Sequence, residues 1–193
     1  NIIAVEAMPE KAARLRQKFP LAILHACAVG EAEGEMTFFI DTKQSGYSSL
    51  IAPDDNNSHI REIHVAVKRL DSLIPEDVVV DVVKIDIEGA ELGALRGATC
   101  MLSKSNPVVM FESAPTRLSS IYEPRDLYRF FDQRGYEIFV PNRLAHDGSG
   151  LSEEGFLESH LYPRRTTNYF AVHRNRRIEI RDRSRRVLGI RVQ

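Results

Sequence analysis

The sequence predicts an α/β domain in which a mostly parallel sheet carries helices on both faces. Three observations lead there. Short apolar runs alternate along the chain with segments whose apolar residues recur at helical spacing. The opening run, Ile2 to Ala7, is apolar on successive residues, as in a strand covered on both sides. The chain has 193 residues, 43% of them hydrophobic, which is enough to bury one sizeable core and fits a single domain.

The elements follow in order. After Ile2–Ala7, Pro9 supplies the first turn of a helix carrying Ala12, Ala13, Leu15 and Phe19. Residues 22–29 read as a second buried strand and 35–41 (EMTFFID) as a third, reached through a turn at Gly34. A polar loop, 42–58, leads to a strand at 63–67, and Asp71 is placed to cap the short turn Ser72-Leu73-Ile74. Residues 78–87 make the strongest strand. It hands over at Gly89 to a helix marked by Leu92, Leu95, Ala98 and Leu102. A strand at 107–111 (PVVMF), a helix at 125–134 ended by Gly135, and strands at 136–140 and 168–173 complete the set. Beyond His173, Ile178 and Ile180 alternate with charges, and Leu188, Ile190 and Val192 nearly do. That pattern predicts an exposed hairpin turning near 182–186 in a solvated, partly disordered terminus.

Composition narrows the function classes. No apolar run approaches the roughly 20 residues that cross a bilayer, since Asp81, Lys84 and Asp86 interrupt the longest. A soluble protein without a membrane partner is expected. The first residue is Asn1 and a strand follows at once, so no signal peptide is read there and the sequence is expected to begin inside a domain. Cys27 and Cys100 lie far apart without metal-ligand spacing, which suits a reducing cytoplasm and names no metal site. Formal net charge is −1 but uneven: residues 174–193 hold eight Arg against Glu179 and Asp182, a formal +6, which leaves an acidic body. Clustered Arg can neutralise phosphates, yet nucleic acid is not the expected partner.

Ligands of parallel α/β sheets bind at the carboxyl ends of the strands, so the chemistry is sought there. Glu6 ends the opening strand, where a carboxylate can accept hydrogen bonds from both hydroxyls of an adenosine ribose. Asp86, Glu88 and Glu91 crowd the end of the strongest strand, and like charges so close repel unless a cation, a donor or a substrate meets them. Glu91 is expected to face water, and Glu88 either caps the helix or meets a ligand. Asp86 is the candidate to touch a ligand. Glu112, ending the neighbouring strand, is a candidate base, as is Asp86. His25 reads as a satisfied core residue, while His146 and His160 lie in the loop between the last strands, where acceptor sites of this fold class are often built, and either is a further candidate base.

The run Val82-Val83-Lys84-Ile85-Asp86-Ile87-Glu88-Gly89-Ala90-Glu91-Leu92, continued by Leu95-Arg96-Gly97-Ala98, closely resembles the signature of FkbM methyltransferases, a KIDxEG turn followed by Leu-x-Gly-Ala. Other landmarks agree in order. Glu6 with Pro9 is similar to the family's Glu-Pro motif, Ala28-Val29-Gly30 to its strand-three turn, and Ser45–Leu50 to its Ser-Ser-Leu loop. Leu70-Asp71-Ser72-Leu73 and Asn168-Tyr169-Phe170-Ala171 also have counterparts, so the resemblance spans 1–173 and leaves 174–193 as a basic tail.

The resemblance implies a Rossmann-like class I methyltransferase sheet, S-adenosylmethionine as cofactor, and methyl transfer to a hydroxyl oxygen of a sugar or secondary metabolite. On that pattern Glu6 and Ala28 bind the cofactor. Asp86 touches the cofactor's methionine end or the substrate hydroxyl, and Asp86 or Glu112 takes the proton. Glu88 and His146 contact a small-molecule or glycan acceptor. The family pattern opens with a strand and a glycine-rich turn that do not occur here, so the first strand is expected to be missing. The unpaired backbone left by that loss makes self-association possible. Two other readings stand beside this one: a non-catalytic fragment or binding module that has lost the cofactor, and a nicotinamide-dependent oxidoreductase, against which the KIDIEGAE run speaks.

Overall fold

The computed structural model describes residues 1–43, 48, 50, 59–113, 122–161 and 166–190. They fall into two compact units, Asn1–Val78 with Ile87–Met101, and Val79–Asp86 with Leu102–Gln193. No described helix is long and apolar enough to cross a membrane. Both cysteines are free thiols, Cys27 buried and Cys100 exposed.

The first unit begins with β1 (Ile3–Val5), α1 (Pro9–Lys18) and β2 (Ile23–His25), and β1 and β2 pair in parallel. β3 (Ala28–Val29), β4 (Gly34–Asp41) and β5 (Ile60–Lys68) make a second sheet in the order β3-β5-β4. The single strand expected over 22–29 is therefore two. Its first half pairs with β1 and its second with β5, and the chain changes partner at Ala26-Cys27. Met8, Ala28, Phe38, Ile40, Val65 and Val67 form the core over this second sheet. Most of the polar loop 42–58, including the Ser45–Leu50 segment except for residues 48 and 50, lies outside the described residues.

The helix expected after Gly89 is also two, α3 (Glu91–Arg96) and α4 (Thr99–Ser105), and the break has a steric cause. A Cβ on Gly97 would stand 2.1 Å from the Gly30 carbonyl oxygen, so the backbones meet where only glycine fits. The carbonyls there turn outward, that of Gly97 to the Asp71 N–H (2.9 Å) and that of Arg96 to the Arg69 guanidinium (3.4 Å). Asp71 does not cap its own short helix, α2 (Leu70–Leu73). Its carboxylate instead takes the N–H groups of Cys100 (3.1 Å) and Met101 (2.9 Å), orphan donors in the first turn of α4.

The second unit holds β6 (Val82–Ile85), β7 (Val108–Glu112), α5 (Pro124–Asp132), β8 (Tyr136–Phe139), α6 (Glu153–Glu158), β9 (Asn168–His173) and α7 (Arg177–Val187). Its sheet runs β6-β7-β9-β8. β6 is shorter than the run 78–87 suggests, because the Val80 N–H is held by the Ser105 hydroxyl (3.1 Å) and not by a strand. α5 starts from a reciprocal Glu123–Asp126 capping box, and Gly135 beyond its end has φ 77°. Alternation along the strands sends Phe111, Ile138 and Tyr169 to one face, where Phe131 of α5 meets Phe111 and Phe156 of α6 meets Phe111 and Tyr169. Val108, Phe139 and Val172 point to the other face and pack with Ile180 of α7.

The expectation of a mostly parallel sheet is corrected to a mixed one. Pairs β1-β2, β3-β5 and β6-β7 are parallel, while β4-β5, β7-β9 and β8-β9 are antiparallel. β9 enters at the edge where β8 has just ended, so it must run back between β7 and β8. The expected C-terminal hairpin is corrected as well. Arg177, Arg181 and Arg185 are four residues apart and fall on one face of a helix, which brings them together onto the loop 144–148. α6, which stands within the expected loop, opens at Ser152, whose hydroxyl accepts the Gly155 N–H.

Candidate active site

The KIDIEGAE run divides at the end of β6. Lys84 pairs with Met110 across the β6-β7 ladder, and its ammonium meets the Asp86 carboxylate at 2.7 Å. Glu112 ends β7 opposite Asn168 of β9. Alternation puts Lys84, Asp86, Met110 and Glu112 on the same sheet face, and carboxylate oxygens of Asp86 and Glu112 lie within 4.8 Å of each other. Two carboxylates within that reach can clasp a donor or coordinate a divalent cation between them. The acids are expected to repel unless a cation, a donor or a substrate meets them, and Lys84 is one such cation, paired with Asp86.

The remainder of the run makes a tight turn. Glu88 has φ 55° and Gly89 φ 100°, both in the left-handed region. That turn aims the Ile87 and Gly89 amides at the Glu91 carboxylate, which accepts from Ile87 at 3.0 Å and from Gly89 at 3.1 and 3.2 Å. Glu91 is 3% exposed. The expectation that it faces water is therefore overturned: the carboxylate folds back from the first turn of α3 to satisfy donors that would otherwise be orphans. Glu88 is not the cap, since the residue before α3 is Ala90 and no side chain caps there. Glu88 is half-buried and holds a backbone conformation unusual for a non-glycine residue.

Glu6 stands just beyond β1. Its Oε1 accepts the Met8 N–H at 2.8 Å at the start of α1, and its own N–H donates to the His25 carbonyl at 3.1 Å. The other carboxylate oxygen has no hydrogen-bond partner among the described residues. A carboxylate fixed by one backbone amide with an oxygen to spare suits a ribose diol. Ala28 lies on β3, 6% exposed, and packs with Met8 in the core of its unit. Anything it offers a ligand comes from its small size or its backbone.

The loop histidines differ. His146 is exposed, and its carbonyl, like those of Leu144 and Ala145, accepts from an arginine of α7: Arg177 takes Leu144 (2.9 Å) and His146, and Arg185 takes Ala145 (2.9 Å). Asp147 beside it bonds Arg181 (2.8 Å) and Arg185 (2.7 Å), and the Arg185 guanidinium foremost holds its carboxyl below the ordinary range. His160 is buried. Its Nδ1 faces the Phe156 carbonyl at 2.8 Å, so that nitrogen carries a proton, and Nε2 meets the Ser113 hydroxyl at 2.8 Å. Ser113 directly follows Glu112 and continues the ladder, donating its N–H to the Thr167 carbonyl (2.8 Å). Strand alternation sends its side chain to the face opposite Glu112.

Sequence reasoning passed over Lys84, Ser113 and the role of Glu91. Lys84 and Glu91 stand inside the most distinctive run, two residues before Asp86 and three after Glu88, and that spacing was the available signal. Nothing in the sequence marks the Ser113–His160 pair, whose members are 47 residues apart.

A family model described as the methyltransferase FkbM domain matches residues 1–138. Among solved structures, the chain is similar to a methyltransferase FkbM from Methylobacillus flagellatus KT, with 17% sequence identity and a TM-score of 0.49. That likeness covers 90% of this chain and 36% of the solved one, so the chain spans little more than a third of that protein's length. No curated protein matches.

Proposed function

The chain belongs to the FkbM methyltransferase family, and from that premise we propose that it transfers a methyl group from S-adenosylmethionine to a hydroxyl oxygen of a sugar or secondary metabolite. When bound, the cofactor supplies an electrophilic methyl on a positively charged sulfur. The chain must then hold the nucleoside, orient the acceptor hydroxyl in line and take its proton. In this reading Glu6 binds the ribose diol and Ala28 leaves room for the cofactor. Asp86 meets the cofactor's amino-acid end or the acceptor hydroxyl, Glu112 accepts the proton, and Glu88 and His146 contact the acceptor. The expected compartment is the cytoplasm.

The observation that carries the proposal is the approach of Asp86 and Glu112 within 4.8 Å at the carboxyl ends of adjoining parallel strands. A hydroxyl placed there finds an anion to receive its proton, and Lys84 keeps the neighbouring acid company. The test uses the full-length protein, labelled S-adenosylmethionine and a panel of hydroxyl-bearing sugars and secondary metabolites. Glu112→Gln and Asp86→Asn each preserve shape while removing charge, so each should lower turnover by about 10²-fold with little effect on folding, in line with general-base contributions. Normal turnover in Glu112→Gln would refute the assignment of the base, and normal turnover in Asp86→Asn would remove Asp86 from the site. Failure to methylate any hydroxyl acceptor, with cofactor binding intact, would refute the oxygen acceptor.

A further inference from the structure

We infer that His25 is a second group through which this chain binds the nucleoside of its cofactor, by a hydrogen bond between its Nε2 and a ribose hydroxyl. The inference rests on the reading of Glu6 given above. Roughly nine in ten or more buried polar groups in folded proteins have a partner. Among the described residues, His25 Nε2 is the buried side-chain nitrogen that has none. The histidine read from the sequence as a satisfied core residue is half-buried, with its Nε2 enclosed and unmet, and a lone buried polar atom carries a standing cost unless something meets it.

Its place says what that something is. His25 is the last residue of β2, opposite Val5, and its carbonyl takes the Glu6 N–H at 3.1 Å. Glu6 and His25 are therefore backbone neighbours at the carboxyl edge of a parallel pair, where ligands meet such sheets; alternation sends their side chains to opposite faces, so the diol they share lies over that edge. The chemistry selects a hydroxyl. A hydroxyl that donates its proton to Glu6 still has lone pairs to accept from an Nε2–H, and one that does not can donate to a bare Nε2. Either tautomer of His25 is satisfied by the diol, whereas a carboxylate or an ammonium would satisfy only one.

The experiment sets affinity against stability in the full-length protein. His25→Phe removes the unpaired atom, so the melting temperature without ligand should stay level or rise, while S-adenosylhomocysteine binding by calorimetry should weaken by roughly tenfold, the loss of one hydrogen bond. Unchanged affinity in this variant overturns the inference. Glu6→Gln is measured beside it. If Glu6→Gln weakens binding and His25→Phe does not, the His25 inference falls alone; if neither does, the reading of Glu6 falls first. Nitrogen-15 chemical shifts of the His25 ring in the unsubstituted protein give a second readout that survives a misfolded variant. Nε2 should shift on adding S-adenosylhomocysteine and not on adding its 2′,3′-dideoxy analogue, and an Nε2 signal unmoved by S-adenosylhomocysteine also overturns the inference.

Discussion

Glu91 takes a charge into the interior in order to hold a turn. Its carboxylate accepts from Ile87 once and from Gly89 with both oxygens, and hydrogen bonds to a charged group contribute about 1.5–3 kcal/mol each. Glu91→Gln keeps the volume but sets an NH2 group against donors, so it should destabilise the protein by about 1.5–3 kcal/mol. Urea denaturation should show a lower midpoint at an unchanged slope, and an unmoved midpoint would mean that the turn holds itself. Glu88→Gln, which leaves both amides their acceptor, is the matched comparison and should lower the midpoint less. At this scale the sequence was legible where one residue sufficed, as with Glu6 and Glu112 at strand ends. It was misleading at Glu91, because a carboxylate at a helix start looks the same whether it points to water or bends back to two amides. It was silent at His25, whose side chain reads as core until each buried atom is asked for its partner.

Among the elements, α7 departs furthest from its reading. Ile178 and Ile180 are two residues apart, so in a strand they would share a face, but in a helix they stand about 200° apart. Ile180 is 6% exposed and packs with Val108, Phe139 and Val172, whereas Ile178 is 67% exposed. The arginines decide between the two. At helical spacing Arg177 lies over the Phe139 ring at 4.2 Å, and with Arg181 and Arg185 it closes on the carbonyls and carboxylate of the loop 144–148, which a hairpin would scatter to both sides. Short-range alternation was the visible signal, while the loop partners of the arginines lie 29 to 40 residues away. Ile180→Ala should therefore cost about 2–5 kcal/mol, the range for a buried large-to-small change, and Ile178→Ala should stay within about 0.5 kcal/mol of neutral, as an exposed substitution does. Equal effects of the two substitutions in thermal melts would restore the hairpin.

At the scale of the whole molecule, the positions of most strands could be read from apolar runs, but not which strand joins which sheet. β2 and β3 occupy one continuous apolar run and serve different sheets, and β9 reads like any other strand yet runs against its neighbours. Direction is fixed by the end of the sheet at which a connection delivers the chain, and residues within the strand do not record it. This bears on the extent of the domain, because the family match ends at residue 138 while β9 begins at Asn168. β9 is the strand between β7 and β8, so a polypeptide of residues 1–138 would leave the exposed side of β7 unpaired. It would also lack Phe156, Tyr169 and Val172, all fully buried, together with Ile180. Side chains of that kind stabilise by about 1.5–3 kcal/mol each on burial, so the four together reach the 5–15 kcal/mol that usually separates a folded domain from its unfolded chain. The 1–138 polypeptide should therefore fail to form the second unit's sheet. In hydrogen exchange the amides of Val82–Ile85 and Val108–Glu112 should be protected in the 193-residue chain and exchange freely in the shorter one. Protection of the β7 amides in the 1–138 polypeptide, with a cooperative melt, would show that β6 and β7 stand without β9 and that the sheet order described for this unit is not what holds it together.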